Sequence, residues 1–279
     1  MTFSLVGCDL EAREWGVAVA SKFLAVGAVV PWARGDIGAV ATQSYANVAY
    51  GPDGLALLAS GVDAQTALDR LVAVDPGREE RQAGIVDAEG RGATYTGSEC
   101  FDWAGGRTGP CFAAQGNILT GPEVVDAMAD TFAGSSGPLA ERLLAALAAG
   151  DDAGGDRRGR QSASLIVRRS GGGYGGNNDI LIDLRVDDHE APITELSRIY
   201  ALHDLMFGKT PEADLIPIEQ VEAEVRERLA ALGYTGDVHE SLRTWASAAN
   251  LEERLHASRV DPVVLRALRE AGLTGSRTG

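Results

Sequence analysis

Basic side chains are scarce in this sequence, and lysine is almost absent. Of 25 lysines and arginines only Lys22 and Lys209 are lysine, and 40 acidic residues give a net charge of −15. A chain of this charge repels polyanions and acidic membrane surfaces, which argues against nucleic-acid and membrane-surface binding. No run of 18 apolar residues is present either, so the sequence predicts no membrane-spanning helix.

Cysteine is also rare, since only Cys8, Cys100 and Cys111 are present. The three form no Cys-x-x-Cys pair and leave an odd one over, which excludes a zinc knuckle and a disulfide framework. We therefore expect a reducing, cytoplasmic location. Residues 5–8 read Leu-Val-Gly-Cys, as in a lipoprotein cleavage site, but no apolar core of a signal peptide precedes them.

Glycine divides the chain, because most of the 35 glycines lie before residue 190. The first part reads as strands, two helices, strands, two helices and strands. This order predicts an α+β fold with two stacked sheets and helices outside them, a four-layer αββα sandwich over residues 1–210. Residues 211–279 read as three short helices, a small all-α module, with Gly233 as a stop and Asp237 and Asp261 as caps.

The N-terminal stretch predicts a hairpin of two strands, residues 3–8 and 15–23. A turn centred near Ala12 pairs residues whose numbers sum to about 24, which places Thr2 opposite Lys22. Methionine before threonine is normally removed, so we expect a mature chain that starts at Thr2. Its free α-amine could then take the hydroxyl proton, while a nearby ammonium would lower the pKa of that amine. The alternative is that Thr2 only begins a strand and that Lys22 reaches solvent.

Several longer strings resemble a known family: TFSLVGCD, ASKFLAVGAVVPWARGDIGAVATQSYANVAYGP, AAQGNIL and DRRGRQSASLIV. They resemble an uncharacterised bacterial family of the N-terminal-nucleophile (Ntn) hydrolase superfamily, over roughly residues 1–210. The resemblance implies the same αββα sandwich. Two later strings, NLEERL and VDPVVLRALREAG, resemble the peptidoglycan-binding domain that is often fused to that family.

The resemblance also assigns candidate catalytic residues. As in proteasome-like Ntn hydrolases, Thr2 stands at the position of the nucleophile, and Ser21 and Lys22 lie where supporting residues would be. The carboxylate that those enzymes carry at the end of the second strand is missing here, which departs from the family pattern. Gly116 and Asn117 follow an apolar strand and could donate to an oxyanion, with a plain Gly-Asn turn as the alternative.

Polar residues at other strand ends are candidates for substrate binding. Thr42, Gln43 and Ser44 end the third apolar strand and could line a cleft. Gln161, Ser162 and Ser164 open a later strand and could hydrogen-bond the terminal amine, although a polar strand start explains them equally well.

Two further motifs favour simpler interpretations. Residues 171–179 are glycine-rich but lack the Gly-Lys-Ser/Thr ending of a phosphate loop, so we expect a long hairpin loop there. Asp187, Asp188 and His189 carry metal-ligating groups, but three adjacent residues cannot all face one ion from a strand. We predict neither a bound metal nor a cofactor.

Three functional hypotheses follow. The first is an N-terminal-threonine amidohydrolase that cleaves a small amide or peptide-like substrate through an acyl-ester on Thr2. The second is a non-catalytic Ntn-fold scaffold whose C-terminal module binds a peptidoglycan fragment or, without an export signal, a cytosolic peptide or partner subunit. The third is a metal-dependent hydrolase that uses the region around His189. We also expect a homo-oligomer.

Overall fold

The computed structural model describes residues 2–274, and the chain divides into two compact units, residues 1–197 and 198–279. The described residues form a mixed α and β structure with antiparallel sheets and eight α-helices. The division falls within helix α5 (Pro192–Phe207), whereas the sequence pattern placed the boundary at residue 210, after that helix. Within the described range, no helix combines the length and apolar character needed to cross a membrane.

The strands and helices of the first unit follow the predicted block order. The strands are β1 (Thr2–Asp9), β2 (Glu14–Ser21), β3 (Pro31–Arg34), β4 (Gly38–Ser44), β5 (Arg81–Asp87), β6 (Gly92–Thr96), β7 (Gly105–Gly109), β8 (Phe112–Asn117), β9 (Ser162–Arg168) and β10 (Ile180–Val186). The helices that precede α5 are α1 (Tyr50–Ala59), α2 (Ala64–Val74), α3 (Glu123–Gly134) and α4 (Leu139–Asp152).

These strands form two antiparallel sheets. One sheet has six strands in the order β10-β9-β2-β1-β8-β7, and the other has four in the order β3-β4-β5-β6. Helices α3 and α4 pack on the six-stranded sheet, and α1 and α2 pack on the four-stranded sheet. The sheets contact each other through β1 with β4 and through β5 with β8. Each predicted helix pair therefore covers one sheet.

Alternation along β1 decides which side chains lie between the sheets. Val6 shares a buried core with Ala39 and Ala41 of β4, so the even-numbered side chains of β1 face the opposite sheet. The odd-numbered positions face the helices, since a Cβ added to Gly7 would lie 2.8 Å from the ring of Phe132. Both faces of β1 are consequently buried, and Thr2 belongs to the face between the sheets.

The sequence pattern does not predict two of the strands, β3 and β7. Each lies at the edge of its sheet. β3 has four residues, PWAR, and β7 is the glycine-rich stretch GGRTG, half-buried to exposed. Edge strands are often short and interrupted, so they lack the apolar alternation by which a strand is predicted.

The second unit contains the three predicted helices and a small ladder. The helices are α6 (Ile218–Ala231), α7 (Val238–Ala248) and α8 (Pro262–Thr274). A two-stranded ladder of β11 (Ile216–Pro217) and β12 (Arg259–Val260) joins them, so the prediction of an all-α module is wrong in this detail. Asp237 caps α7 as predicted, since its carboxylate accepts the N–H groups of His239 and Glu240.

Candidate functional site

Thr2 lies where three neighbouring strands of the larger sheet begin or end. It begins β1, and its side chain is 5% exposed. The Thr2 Oγ1 lies 3.1 Å from the Oγ of Ser21, which ends β2. On the other side, Asn117 ends β8 and pairs with Thr2 in the sheet. The antiparallel order of these strands therefore brings two hydroxyl groups and an amide to one place.

The predicted register of the first hairpin is wrong by one residue. Phe3 pairs with Ala20 and Asp9 with Glu14, so the numbers of paired residues sum to 23 rather than 24. The turn between the strands has an even number of residues, and the carboxylate of Asp9 accepts the N–H of Ala12 within it. A slip of one residue moves every side chain of a strand to the other face, so the predicted neighbours of Thr2 change.

Lys22 is the residue most affected by this correction. It lies beyond the end of β2 and is exposed, and its Nζ donates to the backbone carbonyl of Arg160 at 3.2 Å. Its backbone N–H donates to the buried carboxylate of Asp156 at 2.8 Å. The structure therefore places Ser21, and not the ammonium of Lys22, beside Thr2.

Buried amide side chains connect the two sheets next to Thr2. Gln43 of β4 and Asn117 of β8 both donate to the Oε1 of Gln82 on β5, at 2.8 and 2.9 Å. The Nε2 of Gln82 donates in turn to the carbonyl of Gly116 at 2.7 Å. Since these side chains are at most 1% exposed, their hydrogen bonds are made within the protein and are costly to break.

Ser4 extends this network along β1. Its hydroxyl donates to the Oε1 of Gln43 and accepts the Nε2 of Gln115, both at 2.7 Å. The other atom of the Gln115 amide, Oε1, is buried and has no hydrogen-bond partner among residues 2–274. Gly84 of β5 lies against this oxygen, because a Cβ added there would be 2.0 Å from it. A residue without a side chain is therefore required at this contact between the sheets.

The amide network fixes the backbone of Thr2. The carbonyl oxygen of Thr2 accepts the Nε2 of Gln43 at 3.2 Å and the Nδ2 of Asn117 at 3.5 Å. The two donors come from opposite sheets. The position of the Thr2 hydroxyl is thus determined by both sheets rather than by one strand end.

A cavity of about 420 Å³ opens beside Thr2. Its polar lining includes Thr2, Gln43 and Ser44, and most of the other lining residues are apolar. The remaining lining residues are Phe23, Val26, Val29, Val30, Tyr45, Ala46 and Arg81. Its volume lies within the range of about 300–1,000 Å³ that is typical of small-molecule sites.

Ser44 shapes the mouth of this cavity. Its φ of 70° is left-handed, so the chain leaves the extended conformation at the end of β4. Tyr45 and Ala46 follow and line the cavity. The ring of Tyr45 is more than half exposed and lies 6.3 Å from that of Phe101, which gives the mouth an aromatic rim.

Arg81 is the cation of the cavity wall, and Asp75 holds it. The Nε of Arg81 lies 3.0 Å from the Oδ2 of Asp75, and its NH1 donates to the carbonyl of Tyr45 at 2.7 Å. Although burial opposes ionisation, hydrogen bonds from Arg81, Asn47 and the Gly77 N–H hold the pKa of Asp75 well below its usual value. The cavity wall therefore carries the guanidinium of Arg81, whose charge is balanced by the carboxylate of Asp75.

Ser162 supports the cavity wall without lining it. Its hydroxyl donates to the carbonyl of Phe23 at 2.5 Å and accepts the N–H of Val26 at 3.1 Å. Phe23 and Val26 both line the cavity. The predicted contact of Ser162 with the terminal amine is therefore replaced by contacts with the loop after β2.

Three other predicted residues lie away from the cavity lining. Thr42 is buried, and its hydroxyl donates to the carbonyl of Asn47 at 3.0 Å. Gly116 pairs with Phe3 inside the sheet. Gln161 donates to the carboxylate of Asp188 at 3.1 Å. Of the predicted substrate-binding residues, Gln43 and Ser44 are the two that line the cavity with Thr2.

The two motifs with simpler interpretations occupy loops. Residues 171–179 connect β9 to β10, as expected of a long hairpin loop. Asp187 forms an ion pair with Arg185 at 2.9 Å, and the Nδ1 of His189 accepts the N–H of Ala191. Across residues 2–274, no group of three His, Cys, Asp or Glu side chains is placed to hold a metal ion.

The sequence analysis missed Gln82 and Gln115, which complete the amide network. Each is the single glutamine of its strand, RQAGIVD for Gln82 and FAAQGN for Gln115, and most of its neighbours are apolar or glycine. A glutamine at a position that alternation assigns to a buried face was the available signal. To place Gln82 and Gln115 in one network, it is necessary to know how the two sheets face each other, and no local sequence pattern contains that information.

Comparisons with known proteins place the first unit in a family. A model described as "Family of unknown function (DUF1028)" matches residues 2–196. The chain is also similar to protein SPO2555 from Silicibacter pomeroyi, whose crystal structure is titled with the same family. That similarity has 31% sequence identity and a TM-score of 0.67, and it covers 77% of this chain and 91% of the other. No curated protein matches.

The second unit matches a different model. Residues 206–268 are similar to a model described as "Putative peptidoglycan binding domain". This match begins within α5 and ends within α8.

Proposed function

Because the chain belongs to the DUF1028 family, whose function is not known, we propose a function from the geometry around Thr2: an N-terminal-threonine amidohydrolase for a small amide or peptide-like substrate. The observation that carries the proposal is the Thr2 hydroxyl, which lies 3.1 Å from Ser21 at the wall of a 420 Å³ cavity. We propose further that residues 1–210 form an Ntn-hydrolase αββα sandwich. The packing of one helix pair on each of two facing sheets supports this fold.

The chemistry requires a free amine on Thr2, and Met1 lies outside the described residues. Once Thr2 is terminal, its amine takes the proton from Oγ1, and Oγ1 bonds to the carbonyl carbon of the substrate amide. The C–N bond then breaks and the proton passes to the leaving amine, which leaves an acyl-ester on Thr2. Water adds to the ester carbon, releases the acid and restores the hydroxyl.

Neighbouring groups have separate parts in this scheme. Ser21 hydrogen-bonds the nucleophilic oxygen, and Gln43 and Asn117 hold the Thr2 carbonyl, so these three residues orient the nucleophile. Ala46 lines the cavity, and its N–H has no acceptor within residues 2–274, so we propose this N–H as the oxyanion donor. Lys22 has no part in the scheme.

A covalent probe tests the proposal directly. The full chain is incubated with an electrophilic amidase probe, and intact mass together with peptide mapping locates the adduct. We expect a protein that begins at Thr2 and carries one adduct on that residue. Thr2→Ala should carry none, whereas Thr42→Ala should label normally, because the Thr42 hydroxyl bonds the carbonyl of Asn47. A labelled Thr2→Ala protein, or a mature protein that retains Met1, would refute the nucleophile.

A second function is favoured by the match over residues 206–268: binding of a peptidoglycan fragment by the second unit. Sedimentation of the full chain with purified sacculi tests it. Thr2→Ala should still sediment, because the proposed binding does not involve the first unit. Recovery of all the protein in the supernatant would refute this function and leave the amidohydrolase proposal unaffected.

A further inference from the structure

The second unit contains a cavity of about 270 Å³ that combines an apolar floor with basic side chains. Helix α7 contributes His239, Leu242 and Arg243, which share a face because they are three and four residues apart. Ile218 begins α6 and lies at the same cavity, and the segment before β12 completes it with Leu255, His256 and Ala257. No acidic residue lines the cavity, although the chain as a whole carries a charge of −15.

Among the arginines described in residues 198–274, Arg243 and Arg266 lack a carboxylate partner, and Arg243 is the one that lines this cavity. Five other arginines of this unit each have a carboxylate within 4.0 Å: Arg226, Arg228, Arg254, Arg259 and Arg269. Arg243 has no such partner within residues 198–274. Because Arg243 is exposed and lines the cavity, its guanidinium is available for a carboxylate of a ligand.

Two other cavities of the unit lack this combination. One of about 340 Å³ contains Arg259, but that side chain lies 3.6 Å from a carboxylate oxygen of Glu212, which lines the same cavity. Another of about 180 Å³ contains Arg226, which pairs with Glu222 at 2.6 Å. Their basic groups are therefore already neutralised.

We propose that the cavity around Arg243 binds the C-terminal carboxylate of a short peptide with small apolar side chains. Arg243 would bind the carboxylate, His239 and His256 would add hydrogen bonds, and Leu242 and Leu255 would contact methyl groups. At 270 Å³ the cavity lies just below the usual range for small-molecule sites, so it suits a peptide end rather than a whole glycan unit. The stem peptides of peptidoglycan end in D-alanine, which has this chemistry.

This inference rests on the proposed peptidoglycan binding, and its test separates the two. The full chain is titrated calorimetrically with N-acetyl-D-alanyl-D-alanine, with its C-terminal amide and with the L,L isomer. We expect the free acid to bind at least about tenfold more tightly than the amide, since a hydrogen bond to a charged group contributes more than a neutral one. Preference for the D,D form indicates peptidoglycan as the source, and preference for the L,L form indicates a cytosolic peptide terminus.

Variants at two exposed arginines complete the test. Arg243→Gln should weaken binding of the acid at least about tenfold, and Arg243→Lys should weaken it less, because the charge remains although the planar fork is lost. Arg266→Gln is the matched control, since Arg266 is an exposed arginine of α8 outside the cavity, and it should bind as wild type. Equal binding of acid and amide, or an unaffected Arg243→Gln protein, would overturn the assignment. If the protein sediments with sacculi but does not bind these peptides, the assignment of the Arg243 cavity is overturned and the proposed peptidoglycan binding is not.

Discussion

The hydroxyl of Thr2 lies 3.1 Å from the hydroxyl of Ser21, across the first two strands of the larger sheet. The contact depends on the four-residue turn between Asp9 and Glu14, since a turn with one more residue would bring Lys22 to the same place. The immediate neighbour of the proposed nucleophile is therefore a neutral hydrogen-bonding group.

Replacing Ser21 by alanine should slow the acylation of Thr2 without abolishing it. A neutral hydrogen bond contributes about 0.5–1.5 kcal/mol, so we expect a rate of probe incorporation about 2- to 13-fold lower than in the wild type. The measurement is the time course of the adduct by intact mass. Ser164→Ala is the matched control, because Ser164 is a buried serine of β9 whose hydroxyl has no hydrogen-bond partner in the described part of the chain.

Equal rates in the two serine variants would contradict a role for Ser21 in orienting the nucleophile. A complete loss of labelling in Ser21→Ala would mean that Ser21 itself, rather than Thr2, forms the adduct. Peptide mapping of the wild-type adduct shows whether the labelled residue is Thr2 or Ser21.

The block order of the chain was sufficient to predict the paired sheets and helices, because each block has a clear period and stop. The edge strands β3 and β7 were not predictable, since neither carries alternating apolar residues. For the site, the resemblance proposed Ser21 as a supporting residue of Thr2, and the polar end of β4 proposed Gln43, which lines the same cavity as Thr2. The placement of Lys22 failed because the number of residues in the turn sets the register of the hairpin. The residues between β1 and β2 do not show from their types alone how many of them form the turn.

Loss of the Gln43 amide should cost stability, because the side chain bridges the two sheets. Gln43→Met keeps the volume but removes the acceptor of the Ser4 hydroxyl proton and one of the two amide donors to the Thr2 carbonyl. A buried polar group left unsatisfied costs about 1–3 kcal/mol, so we expect a loss of at least that size in the free energy of unfolding. Urea unfolding of the wild type and the variant measures it.

Gln161→Met serves as the control for this comparison. Gln161 was predicted to bind substrate together with Gln43, but it is partly exposed and donates to Asp188 near the surface. We expect a change within about 0.5 kcal/mol, as for most surface substitutions. If both variants unfolded at the same urea concentration as wild type, the amide network would not stabilise the contact between the sheets.

Asp75→Asn should destabilise the protein more at neutral pH than in acid. The carboxylate accepts hydrogen bonds from Arg81, Asn47 and the Gly77 N–H, so removing its charge should lower the free energy of unfolding by about 1.5–3 kcal/mol at pH 7. Although burial opposes it, these hydrogen bonds hold the pKa of Asp75 below its unfolded value of about 3.9. The stabilisation is therefore complete above the unfolded pKa and decreases as the pH falls through it toward the folded pKa.

Urea unfolding at pH 7, 5 and 3 should reveal a difference in the free energy of unfolding between wild type and Asp75→Asn that narrows at pH 3. Asp69→Asn, an exposed substitution on α2, should follow the wild type at each pH. A gap that stayed constant with pH would mean that the variant acts through packing rather than through the charge that holds Arg81 at the cavity wall.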